Sequence, residues 1–438
     1  MVRPMKRTVA GLGLLLTGVM LMPTASAENW PGWRGPRGDG TSVSTKVPIS
    51  WDATTGKNLL WKTPLKAKGH ASPIVHGNRV YVVGCLKASQ ERALVCLDAH
   101  SGRILWSRIV VTSALETKHR LNSFASGTPV TDGKVVYATF LEVGSKKVPA
   151  PNVGNKRLIT PGKMVVAAYD TAGKQLWLTR PGEFVSAHGY CSSPVIYEDL
   201  LIVNGDHDGK SYIVALDRKS GKTVWKVDRK YGIRSYVTPL IRKIDGRTQM
   251  VVSGSQHISS LDPRTGKQHW IIEGPTEQFV ASMVYNGNLF FMACGFPTYH
   301  VMGINPRGSG DVTKTHVAWH ARGAKCYVPS PVLVGKYLFV ADDRGTGNCF
   351  DAKTGKRLWQ DRMGRHYSGS LVTARGLAYF IADDGITKVV KPGPRLDVVS
   401  ENKLGEFTYS SPAIAHDRLY IRGEKSLFCI GSETAAGR

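Results

Sequence analysis

The sequence predicts an all-β fold, an eight-bladed propeller of four-stranded antiparallel blades. Two observations carry this. A short phrase recurs along the chain: L-D-A-H-S-G-R-I-L-W ends at Trp106, Y-D-T-A-G-K-Q-L-W at Trp177, and L-D-R-K-S-G-K-T-V-W at Trp225. L-D-P-R-T-G-K-Q-H-W ends at Trp270 and F-D-A-K-T-G-K-R-L-W at Trp359, with a degraded copy ending at Trp319. A period of this size signals a repeat array. A second signature, a small residue followed by Pro, counts the units independently. It stands at Ser72-Pro73, Thr128-Pro129, Ser193-Pro194, Thr238-Pro239, Ser330-Pro331 and Ser411-Pro412. Weaker forms, Ser282-Met283 and Ser370-Leu371, fall where the period requires them, giving eight blades.

Each repeat reads as four strands. From Ser193 to Asp228, S-P-V-I-Y, L-L-I-V-N, S-Y-I-V-A-L-D and K-T-V-W-K-V alternate with the turns E-D, G-D-H-D-G-K and D-R-K-S-G. Four consecutive antiparallel strands per repeat make a propeller blade. Asp217 is placed to accept backbone N–H bonds in its turn, and Gly221 to supply a positive φ. Trp225 then lies at a fixed distance from the turn, where its apolar face can wedge against the neighbouring blade. The same structural role is assigned to Trp61, Trp106, Trp177, Trp270, Trp319 and Trp359.

The last repeat, Leu419 to Ile430, ends without a Gly-Lys turn or a Trp, whereas Asn58 to Lys62 has an outer-strand pattern with no strands before it. The N-terminal strand is therefore expected to complete the C-terminal blade and close the ring, which removes two exposed sheet edges.

The organisation that follows is a signal segment (1–27), an N-terminal latch (28–57) and the propeller (58–438). Arg3, Lys6 and Arg7 precede an apolar run from Val9 to Met22, and Ala25-Ser26-Ala27 offers a cleavage site. Pro23 breaks a run already short for a bilayer span. No Cys near the cleavage site could carry a lipid, and no other stretch reads as transmembrane. A periplasmic or secreted location is expected. The latch opens W-P-G-W-R-G-P-R-G-D-G, too rich in Gly and Pro for regular structure, but its two tryptophans argue that it docks on the propeller.

The formal charge is +25, and loss of the three basic signal residues leaves +22. Such a field attracts anionic ligands or surfaces. The basic residues are scattered, however, which also fits a solvated surface, and no motif points to nucleic acid. The seven cysteines include no C-x-x-C and no adjacent pair, so haem attachment and a cysteine zinc site are unsupported. Cys85 and Cys96 flank a polar stretch and could face each other across a hairpin as a disulfide; buried thiols are the alternative.

The segments before the inner strands open onto one mouth of the central channel. An aromatic precedes the entry signature in seven blades (Phe124, Tyr190, Tyr236, Phe279, Tyr327, Tyr367, Tyr409), and His70 takes that place in the first. Lys118, His119, Asn122, His188, Arg234, Lys325, Arg365 and His366 stand beside them. Two readings follow. The aromatics pack between blades under solvated cations, or they floor a basic pocket for an anionic or glycan ligand, on which Arg234, Lys325 and Arg365 converge. His119 and Asn122 have no repeat role, so Lys118 to Pro129 is the strongest stretch for a site. An insertion from Leu141 to Lys163 in the second blade is a candidate part of the binding face.

The recurring A-x-D-x-x-[ST]-G-K-x-x-W resembles the tryptophan-docking motif of the PQQ-like repeat propellers, the quinoprotein alcohol dehydrogenase-like superfamily. The resemblance covers about residues 58 to 438 and is specific for fold rather than activity. The opening W-P-G-W-R-G-P-R-G-D-G resembles that of a secreted subgroup. Two branches imply opposite functions: quinoprotein dehydrogenases oxidise alcohols or sugars with PQQ, and the BamB-like branch is non-catalytic. The dehydrogenase branch implies a Ca²⁺ bridging PQQ oxygens, a carboxylate base and, in large members, a disulfide of adjacent cysteines. Only Glu116, Glu183, Glu277 and Glu406 remain as candidate calcium or base residues. The favoured expectation is a monomeric, non-catalytic binding or assembly module, without cofactor or metal, that meets a cell-envelope protein or an anionic or glycan ligand. The alternatives are a PQQ- and Ca²⁺-dependent dehydrogenase and a carbohydrate-active propeller using a mouth His.

Overall fold

The computed structural model describes residue 1, residues 28–151 and residues 157–432. The segment expected to be a signal (1–27) lies, beyond Met1, outside the described residues. No helix occurs among those described, and none is long and apolar enough to cross a membrane. Eight sheets follow one another along the chain, each with four antiparallel strands in sequence order except the last, and the fourth gains a short fifth strand, Gly310–Asp311, parallel to Gln268–Glu273. Blade 1 holds Ile74–His76, Arg79–Leu86, Glu91–Asp98 and Ile104–Thr112. Blades 2 to 7 begin at Val130, Val195, Leu240, Val284, Val332 and Val372, each one residue after an entry signature. The inner faces of neighbouring blades share apolar clusters, which is where the core sits.

The blade that needs both termini is blade 8. Ala413–Ala415, Arg418–Arg422 and Ser426–Ile430 supply three strands, and Leu59–Pro64 pairs antiparallel with the third, Trp61 opposite Cys429. The ring is closed by the N-terminal strand, as the incomplete last repeat requires.

The recurring phrase has a geometric basis. Asp217 Oδ1 accepts the Ser220 N–H at 2.8 Å, and Gly221 takes φ 70°. The turn then receives the indole of the preceding blade. Trp177 Nε1 donates to the Arg218 carbonyl, the residue after that Asp, at 3.0 Å. Trp61, Trp106, Trp225, Trp270 and Trp319 reach the corresponding carbonyls of Ala99, Thr171, Pro263, Pro306 and Ala352 at 3.0–3.2 Å. A Cβ on Gly221 would lie 2.6 Å from the Trp177 ring, so the turn glycine is needed for close approach as well as for φ. Trp359 differs: it is buried, but its Nε1 has no acceptor among the described residues, because blade 7 replaces the Asp turn by Lys391 to Asp397.

Blade 7 also lacks an outer-strand Trp. Ser400 stands opposite Val389, the register that Trp359 and Trp106 hold in their own blades. The latch fills the gap. Trp51 is buried there and stacks on Tyr379 with centroids 6.4 Å apart, and its backbone N–H donates to Asn402 Oδ1 at 2.7 Å.

The rest of the latch crosses the ring. Trp30 bridges Val75 of blade 1, Thr41 bridges Thr373 of blade 7, and Asp52 bridges Lys403. The Arg34 side chain, fully buried, donates to the carbonyls of Leu371 and Pro331, tying blades 6 and 7.

Two expectations are corrected. Cys85 stands opposite Arg92 and Cys96 opposite Tyr81, so the two thiols do not face each other, and both are free and buried. The insertion in blade 2 is shorter than Leu141 to Lys163, since Val135–Val143 and Gly162–Asp170 continue the sheet through both ends. Between them Val148–Pro149 pairs with Leu158–Ile159, and residues 152–156 lie outside those described.

Candidate functional site

The entry signatures build the channel. Their hydroxyls accept the backbone N–H of the preceding blade: Ser72 N–H donates to Thr128 Oγ1, Thr128 N–H to Ser193 Oγ, and Ser282 N–H to Ser330 Oγ. Ser330, Ser370 and Ser411 continue the series to Ser370, Ser411 and Ser72 at 2.8–3.0 Å. These bonds make six of the eight steps around the channel, and they explain why a small hydroxyl residue, and not any small residue, precedes the inner strand.

Above the ring lies a cavity of about 480 Å³. The latch forms its floor: Trp33 lines it and donates through Nε1 to Ser282 Oγ at 3.3 Å. The walls include His70, His119, Asn122, His188, Arg234, Tyr236, Tyr327 and His366, which the fold brings together from distant repeats. Lys118, Lys325 and Arg365 do not line it. Lys118 lies over the Phe124 ring, 5.2 Å from its centroid. Lys325 and Arg365 are exposed, so the expected convergence of Arg234, Lys325 and Arg365 does not form: only Arg234 turns inward. The aromatic ring also divides. Tyr236, Tyr327 and Tyr409 line the cavity, whereas Tyr190, Phe279 and Tyr367 are buried in interblade clusters.

Hydrogen bonds fix the imidazoles. His188 Nδ1 accepts from Arg234 Nε at 3.3 Å, which leaves the ring proton on Nε2. His119 Nδ1 accepts the Leu121 N–H at 3.3 Å, with the same consequence. His70 Nδ1 lies 3.1 Å from the Leu121 carbonyl and donates to it, so its Nε2 is an acceptor. Burial, reinforced by Arg234, pushes His188 down to about 3, and burial beside Arg422 and Lys118 pushes His70 to about 4. His119 is also lowered, by burial and by Arg120, Arg157 and Lys118. These three rings are neutral. His366 is the opposite case: its 2.7 Å bond to Asp383 Oδ2 raises its pKa.

Three carboxylates brace the mouth from the ends of second strands. Asp208 Oδ2 accepts the Ala187 N–H, Asp343 Oδ1 accepts those of Tyr327 and Val328, and Asp383 Oδ1 accepts that of Ser368. Burial outweighs these bonds at Asp343 and pushes it up to about 6. Sequence reasoning missed these residues, though a signal exists: N-G-D-H-D-G, A-D-D-R-G and A-D-D-G occupy the same turn in blades 3, 6 and 7. Phe296 and Tyr299, also in the lining, come from the hairpin turn of blade 5 and were equally missed.

None of the four candidate glutamates reaches the cavity. Glu116 is buried against Arg92, Glu406 accepts the N–H groups of Lys425 and Ser426 and pairs with Lys62, and Glu183 and Glu277 are exposed. Asp343 is the only carboxylate in the lining, and among the described residues no three His, Cys, Asp or Glu converge as metal ligands. Calcium takes six to eight oxygen ligands. This donor set does not fit a PQQ–Ca²⁺ centre.

The ring and its central cavity define an eight-bladed propeller of the PQQ-like repeat class. The family model described as outer membrane protein assembly factor BamB matches residues 39–150, 139–293 and 300–398, and the chain belongs to that family. Among solved structures it is similar to BamB from Moraxella catarrhalis, with 14% identity, TM-score 0.58, and 85% of this chain and 99% of that one covered. It also matches a quinohemoprotein alcohol dehydrogenase from Comamonas testosteroni (12% identity, TM-score 0.47, 92% and 81% covered). A europium-containing methanol dehydrogenase matches with 16% identity and TM-score 0.48, covering 91% and 88%. No curated protein sequence matches the chain.

Proposed function

We propose that this protein is a non-catalytic binding module of the cell envelope, exported by its N-terminal segment, whose channel cavity takes a carbohydrate-like ligand. The observation that carries this reading is the composition of the cavity. Trp33, Tyr236, Tyr327, Phe296 and Tyr409 offer flat apolar faces, and neutral histidines and serines offer hydrogen bonds between them. Sugar rings present that same alternation of apolar faces and hydroxyl edges. Asp208 and Asp383, behind the wall, are engaged by Arg234 and His366 and by backbone N–H groups, and Asp343 holds the backbone of Tyr327 and Val328 through Oδ1. Family membership with an outer-membrane assembly factor supports the envelope location.

The test is calorimetry of the mature chain and of Trp33→Ala against neutral and acidic mono- and disaccharides, beside dye-linked alcohol oxidation with added PQQ and Ca²⁺. Sugar binding that Trp33→Ala weakens at least ten-fold, without turnover, supports the reading. Turnover with PQQ and Ca²⁺ would overturn it in favour of the dehydrogenase.

A further inference from the structure

Arg234 is a cation placed in a wall with one side unused. Its side chain is almost fully buried. Nη1 donates to Asp208 Oδ1 at 2.6 Å, and Nε donates to His188 Nδ1 at 3.3 Å. Asp208 is itself fully buried and also accepts the Arg234 backbone N–H at 3.4 Å. Nη2 has no partner among the described residues, and Arg234 lines the cavity. A buried guanidinium that keeps an open N–H edge lacks one acceptor.

The same bond that holds Arg234 sets its neighbour. Because His188 Nδ1 is occupied, the His188 Nε2–H is a donor, and the His188 ring is stacked over Tyr236 with centroids 6.4 Å apart. His119, whose own Nε2 carries the proton, stands against it at 5.4 Å. This wall is built of donors. Arg120, Arg157 and Lys118 add positive potential there, lowering His119, while the acidic groups Asp343 and Asp383 belong to the segments of blades 6 and 7.

We infer that Arg234 Nη2 and His188 Nε2–H form a half-site for an oxyanion, a carboxylate or sulfate ester carried on a sugar ring, so that the ligand of this cavity is an acidic saccharide. The inference rests on the reading of the cavity as a carbohydrate pocket. Arg presents N–H pairs that match planar or tetrahedral oxyanions. Asp208 keeps the guanidinium fixed and neutralised while the site is empty, so the ligand meets a donor edge already in place.

Calorimetry at constant ionic strength with D-galactose, D-galacturonate and D-galactose 6-sulfate tests it, on three proteins. In the wild type, at least one acidic sugar should bind ten-fold or more tighter than galactose, and which one identifies the oxyanion. Arg234→Gln alone leaves Asp208 buried without its ion-pair partner, so the informative variant is Arg234→Gln with Asp208→Asn. That variant should bind all three sugars alike. Lys325→Gln with Arg365→Gln, which removes the exposed cations, should keep the wild-type preference. Equal binding of the three sugars by the wild type overturns the half-site and leaves the pocket. Loss of the preference in the Lys325/Arg365 variant assigns it to the general field and also overturns the half-site. Binding of none of the sugars overturns pocket and half-site together.

Discussion

The backbone N–H of Ser411 donates to Oγ of Ser72 at 3.0 Å, joining residues 339 positions apart in sequence. It is the step at which blade 8 meets blade 1, in a series that Thr128, Ser193, Ser330, Ser370 and Ser411 continue. The channel rim is thus held by side-chain hydroxyls that link the inner-strand entry of one blade to that of the next.

Ser72→Ala removes the acceptor and leaves the Ser411 N–H buried without a partner. Such a loss costs about 1–3 kcal/mol. Urea denaturation should show a lower midpoint for Ser72→Ala and a smaller change for Ser72→Thr. An unchanged midpoint in Ser72→Ala would remove the ring from the account of stability.

Trp51 substitutes for the outer-strand Trp that blade 7 lacks, although it comes from the latch. Trp51→Ala should cost roughly 3–5 kcal/mol, as large-to-small changes at buried aromatics do. Trp225→Ala, within a repeat, should cost a similar amount. Comparison of the two by thermal denaturation checks the equivalence; a near-neutral Trp51→Ala would mean that the latch only decorates the ring.

Deleting residues 28–65 removes the strand Leu59–Pro64, leaving Ser426–Ile430 as an unpaired edge. The truncated chain should melt far below the protein spanning 28–438 and aggregate. Deletion of 28–57 alone keeps the closing strand, so it should melt between the two. Identical melting of the shorter deletion and the full chain would show that Trp51 and Arg34 contribute nothing.

Stability should fall as the pH drops below 6.5. Burial lowers His70 and His207 to about 4, and His188 and His257 to about 3, in the folded chain. For a His with a depressed folded pKa, the unfolded chain binds more protons, so the stabilisation is complete above 6.5 and is lost towards the folded value. Each such group contributes a slope of about 1.4 kcal/mol per pH unit within that window. Asp343, raised to about 6, acts in the opposite direction between pH 3.8 and 6, together with Glu116, Asp206 and Asp208, which burial also raises, while His300, lowered to about 4, makes five histidines against these four carboxyls. The raised His366 favours the folded state below 6.5 and loses this as the pH rises through its folded value. Denaturation midpoints at pH 7, 6 and 5 should decline in that order, and His188→Gln should flatten the decline.

The repeats were legible because each one carries its own signal: the Asp turn, the Gly under an indole and the Trp all lie within ten residues. Ring closure was legible for a related reason, since a strand without partners and a blade without a strand stand at opposite ends. The site was legible only in part. His119 and Asn122 drew attention by having no repeat role, and His188 and Arg234 by standing beside the aromatic positions, but sequence does not tell an aromatic that turns inward, such as Tyr327, from one that packs between blades, such as Tyr367. Both precede an inner strand, and their direction depends on local backbone geometry. Charge misled for a similar reason. Lys325 and Arg365 occupy mouth segments, but the acids there are taken by other groups, Asp343 by the backbone of Tyr327 and Val328 and Asp383 by Ser368 and His366, whereas Asp208 holds Arg234 in the wall. The role of Trp51 needed the three-dimensional register of blade 7, which no local pattern records.

Whether the channel above Trp33 is a ligand pocket is decided by a crystal structure of residues 28–438 grown with the tightest-binding sugar from the calorimetric panel. Ligand density should stack over Trp33, with an oxygen within hydrogen-bond distance of Arg234 Nη2. A sugar bound elsewhere on the propeller, with the channel holding only water, would overturn the pocket.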